Sequence, residues 1–216
     1  DISTPARQRL SAPLHMIKCH GNKKDATFWG YEESDESKDE PHAAITSATL
    51  KEYLEPRTVV ATMCCYGAQI FSPKDADSWP LASTYLRKGA LGYVGSTMMA
   101  WVGLDTMSGA DWIVSAYLKS VLEGESIGLA FLKSKQDYHR HDGIRGRVID
   151  VEGEKTLIEY ILLGDPSIHP VSSSESSVGA LAVQERQQRR VAGAMMAAGI
   201  GKLLPTRYPA TREQEA

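Results

Sequence analysis

One apolar run constrains the fold of this chain more than any other feature. The segment RTVVATMCCYG, residues 57–67, carries no charged residue after its first position and closes on a glycine. A strand that is apolar on both sides must be buried on both faces, as the strands of parallel sheets are. Covering both faces requires helices above and below the sheet, so this run predicts an α/β protein.

Strand and helix patterns alternate along the rest of the chain. Strands are predicted over 14–22, 57–67 and 90–97, and helices over 47–54, 77–89, 111–124 and 126–138. Ser47 or Thr49 is the expected cap of the first helix, while Pro80 lies in the first turn of the second and Gly89 ends it. This alternation predicts a mostly parallel sheet with helices on both faces.

The character of the chain changes near position 172. Residues 155–171 close with a Gly-Asp-Pro turn, and SSSESS then follows, which is typical of a flexible linker. We therefore expect a domain over 1–171, a linker over 172–178, and a helical tail or the start of a further region over 179–216. Because the chain opens at Asp1 without a methionine, we expect it to be a processed or partial form.

Composition excludes several classes of partner. A net charge of −3, from 24 basic and 27 acidic residues, gives no general attraction to nucleic acids or to anionic membranes. The chain shows no run of eighteen apolar residues and no signal peptide. Three cysteines without Cys/His zinc spacing indicate a reducing, cytoplasmic setting and no metal site. The acidic stretch 32–42 is expected to be a solvated loop.

The carboxyl ends of two predicted strands carry a base and a thiol. His20 ends the first strand and Cys65 the second, with 65 − 20 = 45 residues between them, enough for a loop, a crossover helix and a return strand. Active residues of parallel sheets gather at this edge, and an imidazole can convert a thiol to a thiolate. Gly21 and Gly67 leave room for the backbone to approach a substrate carbonyl.

Two other interpretations of the cysteine pair stay open on the residues alone. Free cysteine is among the most buried residue types, so Cys64 and Cys65 are compatible with simple core packing. A dithiol oxidoreductase is disfavoured, because the two cysteines are adjacent rather than spaced as C-x-x-C.

The order of several motifs resembles a known group of peptidases. His20-Gly21 and Cys64-Cys65-x-Gly67 are similar to the His-Gly and Ala-Cys-x-Gly of the caspase-haemoglobinase fold. LRKGALGYVGST and IEYILLGDPSIHPV resemble segments of its gingipain branch, and CHAT-type proteases share the order of GYVGS, a long helix and a LEGESIGLAF-like helix. The resemblance covers roughly residues 14–171.

This resemblance implies a three-layer α/β/α caspase-like sandwich that acts as a cysteine endopeptidase on protein substrates, without a cofactor. His20 would be the general acid/base and Cys65 the nucleophile, with the amides of Gly21 and Cys65 as the oxyanion hole. Cys64 replaces the usual alanine and is expected to point to the other face of the sheet.

The resemblance also implies cleavage after a basic residue. Relatives with this preference carry an acidic residue either before the histidine or in the loop after the third strand. That loop, residues 97–111, offers Asp105 and Asp111, of which Asp105 is the expected partner of a basic side chain. The other expected substrate contacts are Ser96 and Trp101, with Met98 and Met99 in the pocket wall.

Two further expectations concern context. The family carries strand-helix-strand units before its histidine strand, whereas thirteen residues precede that strand here, so the N-terminal strands are expected to be missing from this chain. CHAT-type relatives are often bacterial defence effectors, so we expect regulation by a sensor domain or a partner chain. The alternative is a catalytically silent scaffold module of a signalling assembly, which would not need to keep His20 and Cys65.

Overall fold

The computed structural model of the protein describes residues 9–30, 41–75, 78–102, 109–144 and 149–171, without the side chains of 141–144. The predicted linker and tail, most of the predicted acidic loop and Asp105 lie outside these residues. Within the described ranges, every helix is too short or too polar to cross a membrane.

Strands and helices alternate through the described part of the chain. The strands are β1 Leu14–Ile17, β2 His20–Gly21, β3 Thr27–Gly30, β4 His42–Thr46, β5 Val59–Thr62, β6 Gly92–Ser96 and β7 Tyr160–Gly164. The helices are α1 Ser47–Tyr53, α2 Leu81–Arg87, α3 Ala110–Leu122, α4 Ile127–Ile144 and α5 Val151–Glu159.

The central sheet has the strand order β1-β5-β6-β7. The first three strands run parallel, and β7 is antiparallel to β6. This mostly parallel sheet confirms the predicted α/β class. The last residue pair of β1 and β5 joins Ile17 to Thr62, a register on which the geometry of the site depends.

Each face of the sheet carries its own apolar cluster. Val59 and Ala61 of β5 pack with α3 and α4 on one face, whereas Val60 packs with α1 and α2 on the other. Successive side chains of a strand point to opposite faces, and all four residues of β5 are buried. The apolar run that predicted burial on both faces therefore forms the middle of an α/β/α sandwich.

The prediction of a single strand over 14–22 is wrong. β1 ends at Ile17, and His20 belongs to β2, the first strand of a separate antiparallel sheet with the order β2-β3-β4. In that sheet His20 pairs with Trp29 and Gly21 with Phe28. The sequence pattern missed β3 and β4 because these strands are short and mostly half-exposed or exposed, so they show no long run of buried positions.

One predicted helix cap moves by one to three residues, and one predicted helix start moves by four. Thr46, rather than Ser47 or Thr49, caps α1, because its side chain accepts from the Thr49 N–H at 3.1 Å while the Thr49 hydroxyl accepts from the Thr46 N–H at 3.0 Å. Pro80 immediately precedes α2 instead of lying within it. Gly89 follows the end of α2 with a φ of 88°, as predicted for a helix stop.

The segment 155–171 combines three structures in succession. Helix α5 passes directly into β7 between Glu159 and Tyr160. β7 ends at Gly164, and the Asp165 carboxylate then accepts from the Ser167 N–H at 2.9 Å in the predicted turn. The domain thus closes on a strand that runs against the parallel direction of the others.

Candidate active site

The chain turns sharply after β5, and Cys64 and Cys65 lie in this turn rather than in the strand. Tyr66 adopts a φ of 56°, a left-handed conformation that is uncommon for a residue with a side chain. The Gly67 N–H donates to the Cys64 carbonyl at 3.1 Å, which closes the turn. A Cβ on Gly67 would lie 2.6 Å from the Thr62 hydroxyl, so only glycine fits. The turn leaves Cys65 at the carboxyl end of the sheet.

The two adjacent cysteines have different surroundings. Cys64 is fully buried among the apolar residues that face α1 and α2. Burial raises the pKa of its thiol well above the ordinary value, so this thiol is protonated and a poor nucleophile at neutral pH. Cys65 is half-buried, and its thiol donates to the Ala100 carbonyl at 3.8 Å. Ala100 packs against the cluster of the opposite face.

Gly21 lies directly against the backbone of the cysteine turn. A Cβ built on Gly21 would overlap the Cys65 carbonyl oxygen and would lie 3.5 Å from the Cβ of Cys64. A residue with a side chain therefore cannot occupy this position unless the backbone moves. The close approach makes His20, the preceding and solvent-exposed residue, a neighbour of the Cys65 turn.

The register of the two parallel strands accounts for this approach. Ile17 pairs with Thr62 across β1 and β5, an offset of 62 − 17 = 45 residues. His20 and Cys65 are separated by the same 65 − 20 = 45 residues. Both residues therefore lie three positions beyond the last strand pair, on neighbouring segments of the chain, and Gly21 next to His20 meets the Cys65 carbonyl.

Two hydrogen bonds join these segments, one on each side of the site. The Met63 N–H donates to the Ile17 carbonyl at 2.8 Å, one step beyond the last strand pair. Farther along, the Lys24 N–H donates to the Gln69 side-chain oxygen at 2.7 Å, again with an offset of 69 − 24 = 45. The loop after β2 and the segment after the cysteine turn are thus tied to each other.

The loop after β6 forms the wall opposite β2. Three successive carbonyl groups of this loop are held by donors from different parts of the chain. The carbonyl oxygens of Met98, Met99 and Ala100 accept, in that order, from the Tyr66 N–H, the Lys155 ammonium group and the Cys65 thiol. This loop is therefore positioned by the same turn that carries Cys65.

The predicted substrate contacts in this loop differ in exposure. Ser96 is fully buried, and its hydroxyl donates to the Met98 carbonyl at 2.9 Å and accepts from the Met98 N–H at 3.1 Å. Trp101 is 47% exposed, and Met98 and Met99 are each 52% exposed. Ser96 thus shapes the loop from inside, whereas the three large side chains offer apolar surface beside Cys65.

The two acidic residues of the loop region differ in what the structure describes of them. Asp111, in the first turn of α3, is buried, and its carboxylate forms an ion pair with the Lys18 ammonium group at 3.0 Å. A carboxylate that already has a cation as its partner is less available to a second one. Asp105 lies outside the described residues, between Val102 and Gly109, which form an isolated β-bridge with each other.

Several supporting residues were not predicted from the sequence. Glu159 is 2% exposed and pairs at 2.5 Å with Lys155, which also holds the Met99 carbonyl. The Tyr160 hydroxyl donates to the Thr62 carbonyl at 3.1 Å, just ahead of the cysteine turn. The i,i+4 spacing of Lys155 and Glu159 signals a helical ion pair, but only the fold shows that it reaches the loop after β6.

Comparison with protein families gives one match. The family model described as peptidase family C25 matches residues 20–171, well over half of the chain. The matched segment begins at His20 and includes both cysteines of the turn and the closing strand β7. Comparison with the curated proteins gives no match.

Replacing Gly21 with alanine tests the packing of β2 against the cysteine turn. The added methyl group overlaps a backbone carbonyl, so we expect the free energy of unfolding to fall by about 1–3 kcal/mol. Gly30→Ala is the matched control in the same small sheet, since its Cβ would meet only the Ala44 side chain at an ordinary 3.6 Å. Denaturant unfolding measures both variants, and equal stabilities would contradict the close approach.

Proposed function

Because the chain belongs to peptidase family C25, and is therefore a cysteine peptidase, we propose that Cys65 is its nucleophile and His20 its general acid/base. The observation that carries this assignment is the contact of Gly21 with the Cys65 carbonyl, which makes the histidine strand and the cysteine turn neighbours. Cys64 is the less suitable nucleophile, because it is buried and its thiol stays protonated.

The proposed reaction is acyl transfer in two stages. The His20 imidazole accepts the proton of the Cys65 thiol, and the thiolate attacks the carbonyl carbon of the scissile peptide bond. The amides of Gly21 and Cys65 stabilise the negative oxygen of the tetrahedral intermediate, and His20 donates its proton to the leaving amine. Water, activated by His20, then hydrolyses the thioester and regenerates the thiol.

The proposed preference is for a basic residue before the scissile bond, with Asp105 as its partner. Two features support Asp105 over Asp111. The Asp111 carboxylate already pairs with Lys18, whereas Asp105 follows closely on Trp101, whose exposed side chain stands in the loop that contacts Cys65. The aliphatic part of an arginine or lysine side chain suits an apolar wall, and its charge requires an acid at the end.

The biological setting is proposed on the sequence resemblance alone. The order of the motifs is similar to that of CHAT-type proteases as well as gingipains, so we propose a regulated effector that acts in the cytoplasm, with a sensor domain or a partner chain that controls it. Neither nucleic acid nor membrane is part of the proposed activity.

Substitution of the dyad tests the assignment of the catalytic residues. Cys65→Ala and His20→Ala are each expected to lower kcat/KM on a cleaved peptide by about 10³-fold or more, and the double variant should be no worse, since both groups act in one proton transfer. Cys64→Ala, the matched control, should retain activity. Loss of cleavage in folded Cys64→Ala alone would move the nucleophile, and no cleavage of a peptide library by the unmodified protein would favour a scaffold role.

Substitution of Asp105 tests the specificity. Asp105→Asn is expected to lower kcat/KM on an arginine substrate by roughly 30-fold or more, since loss of one partner of a desolvated charge pair costs about 2 kcal/mol or more. A citrulline substrate, of the same shape without the charge, should be cleaved equally by both proteins. Asp111→Asn is the control, and its preference for arginine over citrulline should stay unchanged. A preserved arginine preference in Asp105→Asn would place the acid elsewhere.

A further inference from the structure

The third cysteine, Cys19, lies immediately before His20 and is not used in the proposed mechanism. The offset between Cys19 and Cys64 is 64 − 19 = 45 residues, the same as that of the paired residues Ile17 and Thr62. Both cysteines lie two positions beyond this pair, on neighbouring segments of the chain. Such neighbours lie about 5 Å apart, within the range of Cα separations that a disulfide spans.

Both thiols lie at the same apolar cluster, on the face of the sheet that carries α1 and α2. Cys64 belongs to the apolar cluster that faces α1 and α2, and Cys19 packs against this cluster. The Cys64 thiol donates at 3.9 Å to the carbonyl of Ile17, the last residue of β1 and two positions before Cys19. Cys65 does not join Cys19 and Cys64, because its thiol is held by the Ala100 carbonyl, which packs on the opposite face.

The two thiols differ in reactivity in a complementary way. The neighbouring Cys64 thiol, which can donate to a Cys19 thiolate, lowers the pKa of Cys19 to about 7. Burial raises the pKa of Cys64, so Cys64 keeps its proton as the donor. Cys19 is half-buried and thus reachable from solvent, whereas Cys64 is enclosed. Cys19 has the properties of an attacking thiol and Cys64 those of a resolving thiol.

The other titratable groups around the pair do not compete with this assignment. Burial raises the pKa values of the two phenols beside it, which stay neutral. On the same face of the sheet these groups are Tyr85, Tyr93, and His15, which contacts Tyr85. Toward the opposite face they are the Cys65 thiol and the Lys18–Asp111 ion pair, and His20 is the next residue in the chain.

We propose that Cys19 and Cys64 form a site of reversible oxidation, at which a hydroperoxide converts the two thiols to a disulfide. The Cys19 thiolate attacks a peroxide oxygen, the O–O bond breaks, and the departing alkoxide or hydroxide takes a proton, which leaves a sulfenic acid on Cys19. The Cys64 thiol then attacks the Cys19 sulfur. The S–S bond forms, the S–O bond breaks, and the hydroxide leaves with the Cys64 proton as water.

In this reaction the two sulfur atoms lose two electrons and the peroxide gains them, and an added dithiol reverses the change. The disulfide would also change the position of the proposed catalytic residues, because its two cysteines immediately precede His20 and Cys65. Drawing the sulfurs to bonding distance shifts backbone that has no spare room, since Gly21 is already in contact with the Cys65 carbonyl. Oxidation is therefore expected to switch off the peptidase, a consequence that rests on the proposed function.

The bond itself is tested in a protein that lacks the proposed nucleophile. Full-length Cys65→Ala is treated with hydrogen peroxide, and peptide mapping by mass spectrometry is expected to find Cys19 joined to Cys64 and to lose this link after dithiothreitol. The link should form faster as the pH rises from about 6 to 8, because the Cys19 thiolate fraction increases. It should be absent from Cys19→Ser/Cys65→Ala, the matched control. Oxidation of Cys19 without the link, in folded protein, would overturn the proposal.

The switch is tested separately in the unmodified protein. Loss of peptidase activity should follow the linked fraction and recover with dithiothreitol, whereas Cys19→Ser should lose this component of the inactivation. Full activity in protein that carries the link would overturn the switch. The mapping needs no peptidase activity, so a failed cleavage assay with a mapped link contradicts the proposed function and leaves the thiol pair established.

Discussion

The register between β1 and β5 is the constraint on which the site depends. Backbone hydrogen bonds between two buried parallel strands leave no freedom to slide, because a shift of one residue would turn every side chain to the wrong face. An offset of 45 residues is set where Ile17 meets Thr62, and beyond both strands the Lys24 N–H donates to the Gln69 side chain at the same offset. His20 and Cys65 lie between these two points and share the same offset.

Side-chain alternation then separates the functions of neighbouring residues. Cys64 faces the cluster beside α1 and α2 and is enclosed, while Cys65 faces the loop after β6. The same alternation sends Lys18 toward Asp111 and Cys19 toward Cys64. Beyond the ends of β1 and β5, one side of the two segments therefore carries the proposed catalytic chemistry and the other a pair of thiols that can respond to oxidation.

Much of this arrangement could be predicted from the sequence, for physical reasons. A strand buried on both faces leaves an uninterrupted apolar run, so β5 and the layered fold could be predicted. The helix α3 with its glycine stop and the turn after β7 could be predicted as well. Family membership was predictable because both motifs carry a glycine where a side chain would collide, with the Cys65 carbonyl at Gly21 and with the Thr62 hydroxyl at Gly67.

The rest depends on contacts between distant residues. The strands β2, β3 and β4 of the small sheet are short and mostly half-exposed or exposed, so no periodic pattern marks them, and the break after Ile17 was missed with them. Thr46 caps α1 because of a reciprocal pair of hydrogen bonds with Thr49 that composition does not distinguish from its alternatives. The partnership of Cys19 with Cys64 became visible only once the register was known.

The proposed catalysis requires the His20 imidazole to lie beside the Cys65 sulfur, where the register of β1 and β5 directs it. The most direct measurement is a crystal structure of the protein after reaction with a peptidyl chloromethyl ketone that ends in arginine. We expect a thioether bond to the Cys65 sulfur, the His20 imidazole beside that sulfur, and an unmodified, buried Cys64. Attachment to Cys64, or a His20 ring directed away from the labelled sulfur, would contradict it.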